Sequence, residues 1–175
     1  MGEAARWIES VSLEAFDAMD FGDRRAELIA GAVVVAQAFP TARHGQIAAA
    51  TGAALLRAID AADAPCTVET GTGLDVRLER DFRIGPDVMV RCGDGPPPGE
   101  PVLVVEVLSP SNTAAEMLQK LRAYQAVATI TDILYLDQER PYAEHWSRPP
   151  GGAWGTAEHL VGLAAEGGVA RRGAA

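Results

Sequence analysis

The apolar positions of this chain change period several times, and each change marks an element. Ser10 to Asp20 carries Leu13, Phe16 and Met19 at helical spacing, with Ser12 as a hydroxyl N-cap, which predicts a short amphipathic helix. Arg25 to Ile29 and Ala32 to Gln37 are strand-like runs joined at Ala30-Gly31, where glycine supplies the positive φ of a tight hairpin. Beyond Pro40-Thr41, the positions Ile47, Thr51, Leu55 and Ala58 or Ile59 form one stripe, so His44 to Ala61 is the clearest helix. Thr67 to Thr70, Leu74 to Leu78 and Ile84 to Arg91 then read as short strands separated by Gly-Thr-Gly and by a Glu79-Arg80-Asp81 turn.

The run from Val102 to Ser111 is different in kind. It is almost continuously apolar and rich in β-branched residues, the pattern of a strand covered on both faces, yet it contains Glu106. A buried carboxylate is costly without a compensating cation, donor or proton, so a metal-binding role is the sharper expectation for Glu106, with an ion pair or a place at the sheet rim as the plainer one. Asp87 opens the preceding apolar run after Pro86, and aspartate is depleted in strands. The Gly93 to Pro101 loop is short enough to put Asp87 and Glu106 on adjacent strands.

After Ser109-Pro110-Ser111-Asn112, Thr113 and Glu116 fit a capping box, and a helix is expected to about Val127 with Met117, Leu121, Tyr124 and Ala128 as its packed face. Lys120 lies beside that face, where a surface pair with Glu116 is the unremarkable expectation. Asp132 to Asp137 and Tyr142 to Ser147 read as two more strands, and Trp154 as part of a last one. The whole predicts a single α/β (α+β) domain over residues 1–160, a mixed sheet flanked by helices, followed by a flexible tail over residues 161–175.

Composition narrows the function. With 175 residues, 48% hydrophobic and 22% charged, the chain has enough apolar material for one core. The net charge of -9 is adverse to a nucleic-acid ligand unless metal ions or a local basic patch compensate. Cys66 and Cys92 are too few for a zinc site or a disulfide framework and are expected as buried free thiols. That cysteine usage, with no signal peptide or long apolar span, predicts a cytoplasmic protein without a membrane partner. Period-2 alternation leaves open whether Glu27 faces solvent or a site, and His44, on the first turn of its helix, is expected as a packed or capping residue.

Several of these segments, in order from about Glu14 to Trp154, resemble one family. Glu27-Leu28-Ile29-Ala30-Gly31, Arg43-His44, Pro86-Asp87-Val88, Val104 to Ser111, Lys120 with Tyr124, and Ile133 to Asp137 before Arg140-Pro141 are similar to the Uma2 family of endonucleases, within the restriction-endonuclease-like PD-(D/E)XK superfamily. The Glu-Val-Leu-Ser-Pro-Ser segment carries most of the likeness. The resemblance implies a restriction-endonuclease-like core and Mg2+- or Mn2+-dependent hydrolysis of DNA. It implies Asp87, Glu106 and the Val107 carbonyl as metal ligands, Glu27 as an additional acidic residue, and Lys120 as the cation near the attacking water or phosphate. It also implies His44 as a neighbour of the site and allows a homodimer that addresses two strands. The superfamily's lysine lies two residues after the strand carboxylate, where this chain has Leu108, so Lys120 would be a relocated lysine. Relatives often carry an Asp-Arg pair where this chain has Glu116-Met117. Two alternatives from other classes are a non-catalytic binding or regulatory protein on the same scaffold, and a glycosidase using Asp87 and Glu106 as acid and base.

Overall fold

The computed structural model describes residues 10–35, 39–93 and 99–162, and the backbone of 169–172. Fourteen elements run along these residues: α1 (Leu13–Asp17), β1 (Ala26–Ile29), β2 (Ala32–Val35), α2 (Ala42–Ala61), β3 (Cys66–Glu69), β4 (Leu74–Arg77), β5 (Asp81–Ile84), β6 (Val88–Cys92), β7 (Glu100–Leu108), α3 (Ala114–Ala126), β8 (Asp132–Asp137), β9 (Tyr142–Ser147), β10 (Glu158–Gly162) and β11 (Val169–Arg172). They build two sheets. A mixed seven-stranded sheet has the order β11-β10-β9-β8-β7-β6-β3, and a four-stranded antiparallel sheet has the order β2-β1-β5-β4. The mixed sheet flanked by helices was expected, whereas the separation of the hairpin and β4-β5 into a second sheet was not.

Local chemistry sets most boundaries. Ser12, Thr41 and Thr113 cap α1, α2 and α3, each side-chain oxygen accepting a backbone N–H three residues on. In the β1-β2 turn both Ala30 (φ 50°) and Gly31 (φ 76°) are left-handed, as a two-residue hairpin of this hand requires. The expected Ile84 to Arg91 strand is in fact two strands in different sheets, because Gly85-Pro86-Asp87 carries the chain from one to the other. Proline lacks the N–H that a ladder needs, which explains that break. Pro101 lies opposite Arg91, and the β6-β7 register shifts between Val90 and Arg91.

Strand β7 is central. It pairs antiparallel with β6 and parallel with β8, the crossover being α3. Alternation along it sends Val105 and Val107 to one face, where Val88 also lies and α2 packs through Gly52. Val104 and Glu106 go to the other face, against α3. The main core lies here: Met89, Val104, Ile133 and Tyr135 of the large sheet meet Met117, Ala123 and Tyr124 of α3, with Ile29, Leu74, Val76, Phe82 and Ile84 of the small sheet closing over them. Leu13, Phe16 and Leu28 form a smaller cluster under α1.

Three expectations change. Cys66 and Cys92 are not free thiols: they face each other across β3 and β6, with Cα atoms 4.0 Å apart, and form a disulfide. Disulfides are rare in reducing compartments, so a cytoplasmic setting loses the support that free thiols gave it. Trp154 is not in a strand. It lies against the Arg148 guanidinium, which also donates to the Val127, Ala128 and Ile130 carbonyls at the end of α3. Of the tail expected to be flexible, residues 163–168 and 173–175 lie outside the described residues, and Val169–Arg172 between them pairs with β10. Gln37 and residues 94–98 of the expected loop also lie outside them. Among the described residues no helix is long and apolar enough to cross a membrane.

Candidate active site

Pairing sets the first two carboxylates together. Val88 is opposite Val105 in the β6-β7 ladder, so continuing the register by one residue puts Asp87 opposite Glu106. Asp87 sits just before β6 begins, where no strand partner competes for the next stretch of β7. Its carboxylate takes over as that partner: Oδ2 accepts the Val107 N–H at 2.7 Å. Its other oxygen, Oδ1, lies 3.0 Å from His44 Nε2, and both side chains are largely buried.

Glu106 faces α3 and is only 6% exposed. Tyr124, fully buried one helical turn after Lys120, donates its hydroxyl proton to Glu106 Oε1. Lys120 Nζ stands 3.4 Å from the same oxygen and 2.8 Å from Glu27 Oε2. The spacing 120 and 124 places both groups on one face of α3, so the helix delivers a cation and a hydroxyl to one carboxylate. The surface pairing of Lys120 with Glu116 is excluded, since Lys120 is 5% exposed. Glu27, whose orientation alternation left undecided, points inward from β1. Its Oε1 accepts the Gly85 N–H at 2.8 Å, and Arg25 reaches both that oxygen and the Gly85 carbonyl. The small sheet thus fixes the peptide that leads into Pro86-Asp87.

Burial dominates the electrostatics. It pushes the Glu106 carboxyl up to about 7; Asp87 and Glu27 add to the rise, while Lys120 and the Tyr124 hydroxyl oppose it. Burial would lower the Lys120 ammonium, but Glu106 and Glu27 outweigh it and hold the pKa above its ordinary value. Burial and then the neighbouring Glu106 raise the Tyr124 phenol, which stays a proton donor. The site therefore holds a charged lysine between two carboxylates, one of which changes protonation near neutrality.

Glu27, Asp87, Glu106 and Lys120 come together in one place, and Val107 joins them through its backbone. The helix pattern gave His44 as a packed or capping residue and the resemblance gave it as a neighbour of the site; Thr41 is the cap, and His44 is bonded to Asp87. Tyr124 was assigned to the packed face without its hydroxyl; its spacing from Lys120 was the available signal. Gln138, buried at the end of β8 and bonded to Thr41, had no signal in the sequence.

The donor chemistry suits a hard cation, which prefers carboxylate and carbonyl oxygens. As the side chains stand, they are engaged with one another, and no group of three or more His, Cys, Asp or Glu among the described residues is arranged to hold a metal ion. Each carboxylate oxygen has two lone pairs, so the hydrogen bonds at Asp87 leave acceptor capacity.

Residues 13–166 match the Uma2 family, described as "Putative restriction endonuclease". Among solved structures, the chain is similar to a "putative nuclease belonging to DUF820" from Anabaena variabilis, with a TM-score of 0.65 and 13% identity over 83% of each chain. At that identity the likeness shows the fold. No curated protein matches the chain.

Proposed function

The chain belongs to the Uma2 family, and from that premise we propose that it is a divalent-metal-dependent endonuclease of PD-(D/E)XK type that hydrolyses DNA phosphodiester bonds. The observation that carries this reading is the convergence of Glu27 and Glu106 from strands β1 and β7, Asp87 from the turn before β6 and Lys120 from α3 on one buried site. Asp87, Glu106 and the Val107 carbonyl would hold Mg2+ or Mn2+. In an extended strand the N–H and C=O of one residue point to the same edge, so the Val107 carbonyl faces the Asp87 side as its N–H does. A bound divalent ion supplies charge neutralisation at phosphorus and a water of lowered pKa.

The protein's own groups do the rest. Lys120, held charged by Glu27 and Glu106, offsets negative charge that develops on the phosphoryl oxygens or the attacking water. Glu27 sets where that ammonium stands, and Tyr124 fixes the rotamer of Glu106 through Oε1. Because the overall charge is -9, contacts with the remaining phosphates must come from a local basic patch, and binding will weaken steeply with salt. A homodimer would present two such sites to two strands.

One observation favours a second reading, a non-catalytic binding protein on the same scaffold: Lys120 already neutralises the two glutamates that a metal would otherwise serve. Incubating supercoiled DNA with purified protein in Mg2+, in Mn2+ and in chelator decides between them. The endonuclease reading expects cleavage with either metal, none in chelator, and none with Asp87→Ala or Glu106→Ala. Cleavage unchanged in both variants would remove these carboxylates from the reaction, and DNA binding without Mn2+ binding or cleavage would establish the second reading.

A further inference from the structure

We infer that His44 is a positioning residue for Asp87, and that the first turn of α2 is anchored to the large sheet so that it can hold this role. The inference rests on the metal-site reading above and extends it to residues outside the ligand set. Thr41 already supplies the helix cap, its Oγ1 accepting the His44 N–H at 3.1 Å, so the His44 ring is not needed for capping. Its Nε2 instead meets Asp87 Oδ1 at 3.0 Å while the Val107 N–H takes Oδ2. Two hydrogen bonds on different oxygens fix both the rotation and the tilt of the carboxylate, and one lone pair on each oxygen stays open to a cation.

The turn that carries His44 is itself tied down. Thr41 Oγ1 donates to Gln138 Oε1 at 3.0 Å, and Gln138 is a buried amide at the end of β8 whose backbone N–H reaches the Leu108 carbonyl at 3.4 Å. A continuous path of hydrogen bonds therefore runs from the ends of β7 and β8 through Gln138, Thr41 and His44 to Asp87, and returns to β7 at Val107. Groups that orient a metal-binding side chain in this way typically change metal affinity by about 10- to 100-fold when removed.

Mn2+ titration calorimetry without DNA, on the intact chain, tests this apart from turnover. His44→Ala should weaken Mn2+ binding by about 10- to 100-fold. His44→Gln places an amide N–H close to the Nε2 position and should recover most of the loss, whereas His44→Asn is too short to reach Asp87 and should not. Turnover of His44→Ala, measured well below its melting temperature so that stabilisation of the native state by Mn2+ does not enter, should return toward wild type as Mn2+ is raised. If His44→Ala proves unstable, the comparison of the Gln and Asn variants, matched by their thermal melts, carries the test. Equal Mn2+ affinity in wild type, Gln and Asn variants would overturn the role of His44 and leave the endonuclease reading intact. No Mn2+ affinity in wild type would overturn that reading, and this inference with it.

Discussion

Arg83 and Lys120 each stand between two carboxylates, one set on the surface and the other in the candidate site. On the small sheet, Arg83 forks onto Asp75 at 2.6 and 2.7 Å and also meets Asp17; in the candidate site, Lys120 stands between Glu27 and Glu106. The charge count is the same in both, but the surroundings differ. The Asp17 and Asp75 side chains are 56% and 47% exposed, where water and salt screen the interaction, whereas those of Lys120 and Glu106 are buried. Exposed, the arrangement is a surface contact of small worth. Buried, it removes three charges from water and makes their protonation interdependent, which is how a carboxylate comes to titrate near neutrality.

The largest expected contrast is in turnover. Lys120→Met should lower kcat by about 100- to 1000-fold, while Mn2+ affinity changes by less than about tenfold, because the lysine acts on charge that develops during reaction. Arg83→Met should leave kcat at the wild-type value. Steady-state cleavage and Mn2+ titration of the two variants measure this, and equal losses would erase the distinction between the two triads.

Stability should separate them next. Removing one partner from a buried set strands the others, so Lys120→Met should cost about 3 kcal/mol in denaturant melts at pH 8. The cost should be smaller at pH 5, where Glu106 is protonated and no longer needs the cation. A pH-independent loss would show that the lysine stem, and not its charge, is what matters.

Glu106→Gln should act in the opposite direction in chelator. The folded pKa of about 7 lies above the ordinary 4.5, so the stability that the protonated carboxyl confers is complete below pH 4.5 and is lost as pH rises to 7, after which the loss is constant. At pH 8 the amide variant should therefore be more stable than wild type by on the order of 2 kcal/mol, and the difference should vanish near pH 4.5. Saturating Mn2+ should raise the wild-type melting temperature more than that of the variant, since only the native site binds. A wild type that is the more stable protein in chelator and gains nothing from Mn2+ would make Glu106 a structural residue.

The smallest effect belongs to the exposed triad. Arg83→Met should cost less than about 1 kcal/mol, and added salt should shrink that difference further. A loss as large as that of Lys120→Met would show that the Asp17 contact, which links α1 to the small sheet, carries more of the fold than its exposure suggests.

What could be read from the sequence follows from the range of the forces involved. Caps at Ser12 and Thr113, the Ala30-Gly31 turn and strands β8 and β9 depend on neighbours in sequence, and they are legible there, whereas Pro40-Thr41 read only as a break and Thr41 proved to be the cap of α2. The place of Glu106 in a covered strand was also legible, since an apolar run with one carboxylate is a local pattern. Register was not. The disulfide needs Cys66 opposite Cys92 across 26 residues of chain, and the inward turn of Glu27 depends on where Gly85 crosses between sheets. The bonds of His44 to Asp87 and of Gln138 to Thr41 depend on how α2 packs on the large sheet. A lone histidine on a helix face and a lone glutamine after a strand carry no such information themselves.

The bond from the Val107 N–H to Asp87 Oδ2 also makes the protein its own reporter. That amide lies past the last β6 residue in the ladder and has a side chain, in place of a strand, as its acceptor. Its hydrogen–deuterium exchange therefore tracks how often one carboxylate swings away, whereas Val105, paired with Val88 in the last rung of the β6-β7 ladder, tracks opening of that end of the sheet. A ligand that draws Asp87 toward itself should quicken the Val107 clock and slow that of Val105, so one spectrum can distinguish rearrangement of the site from tightening of the fold.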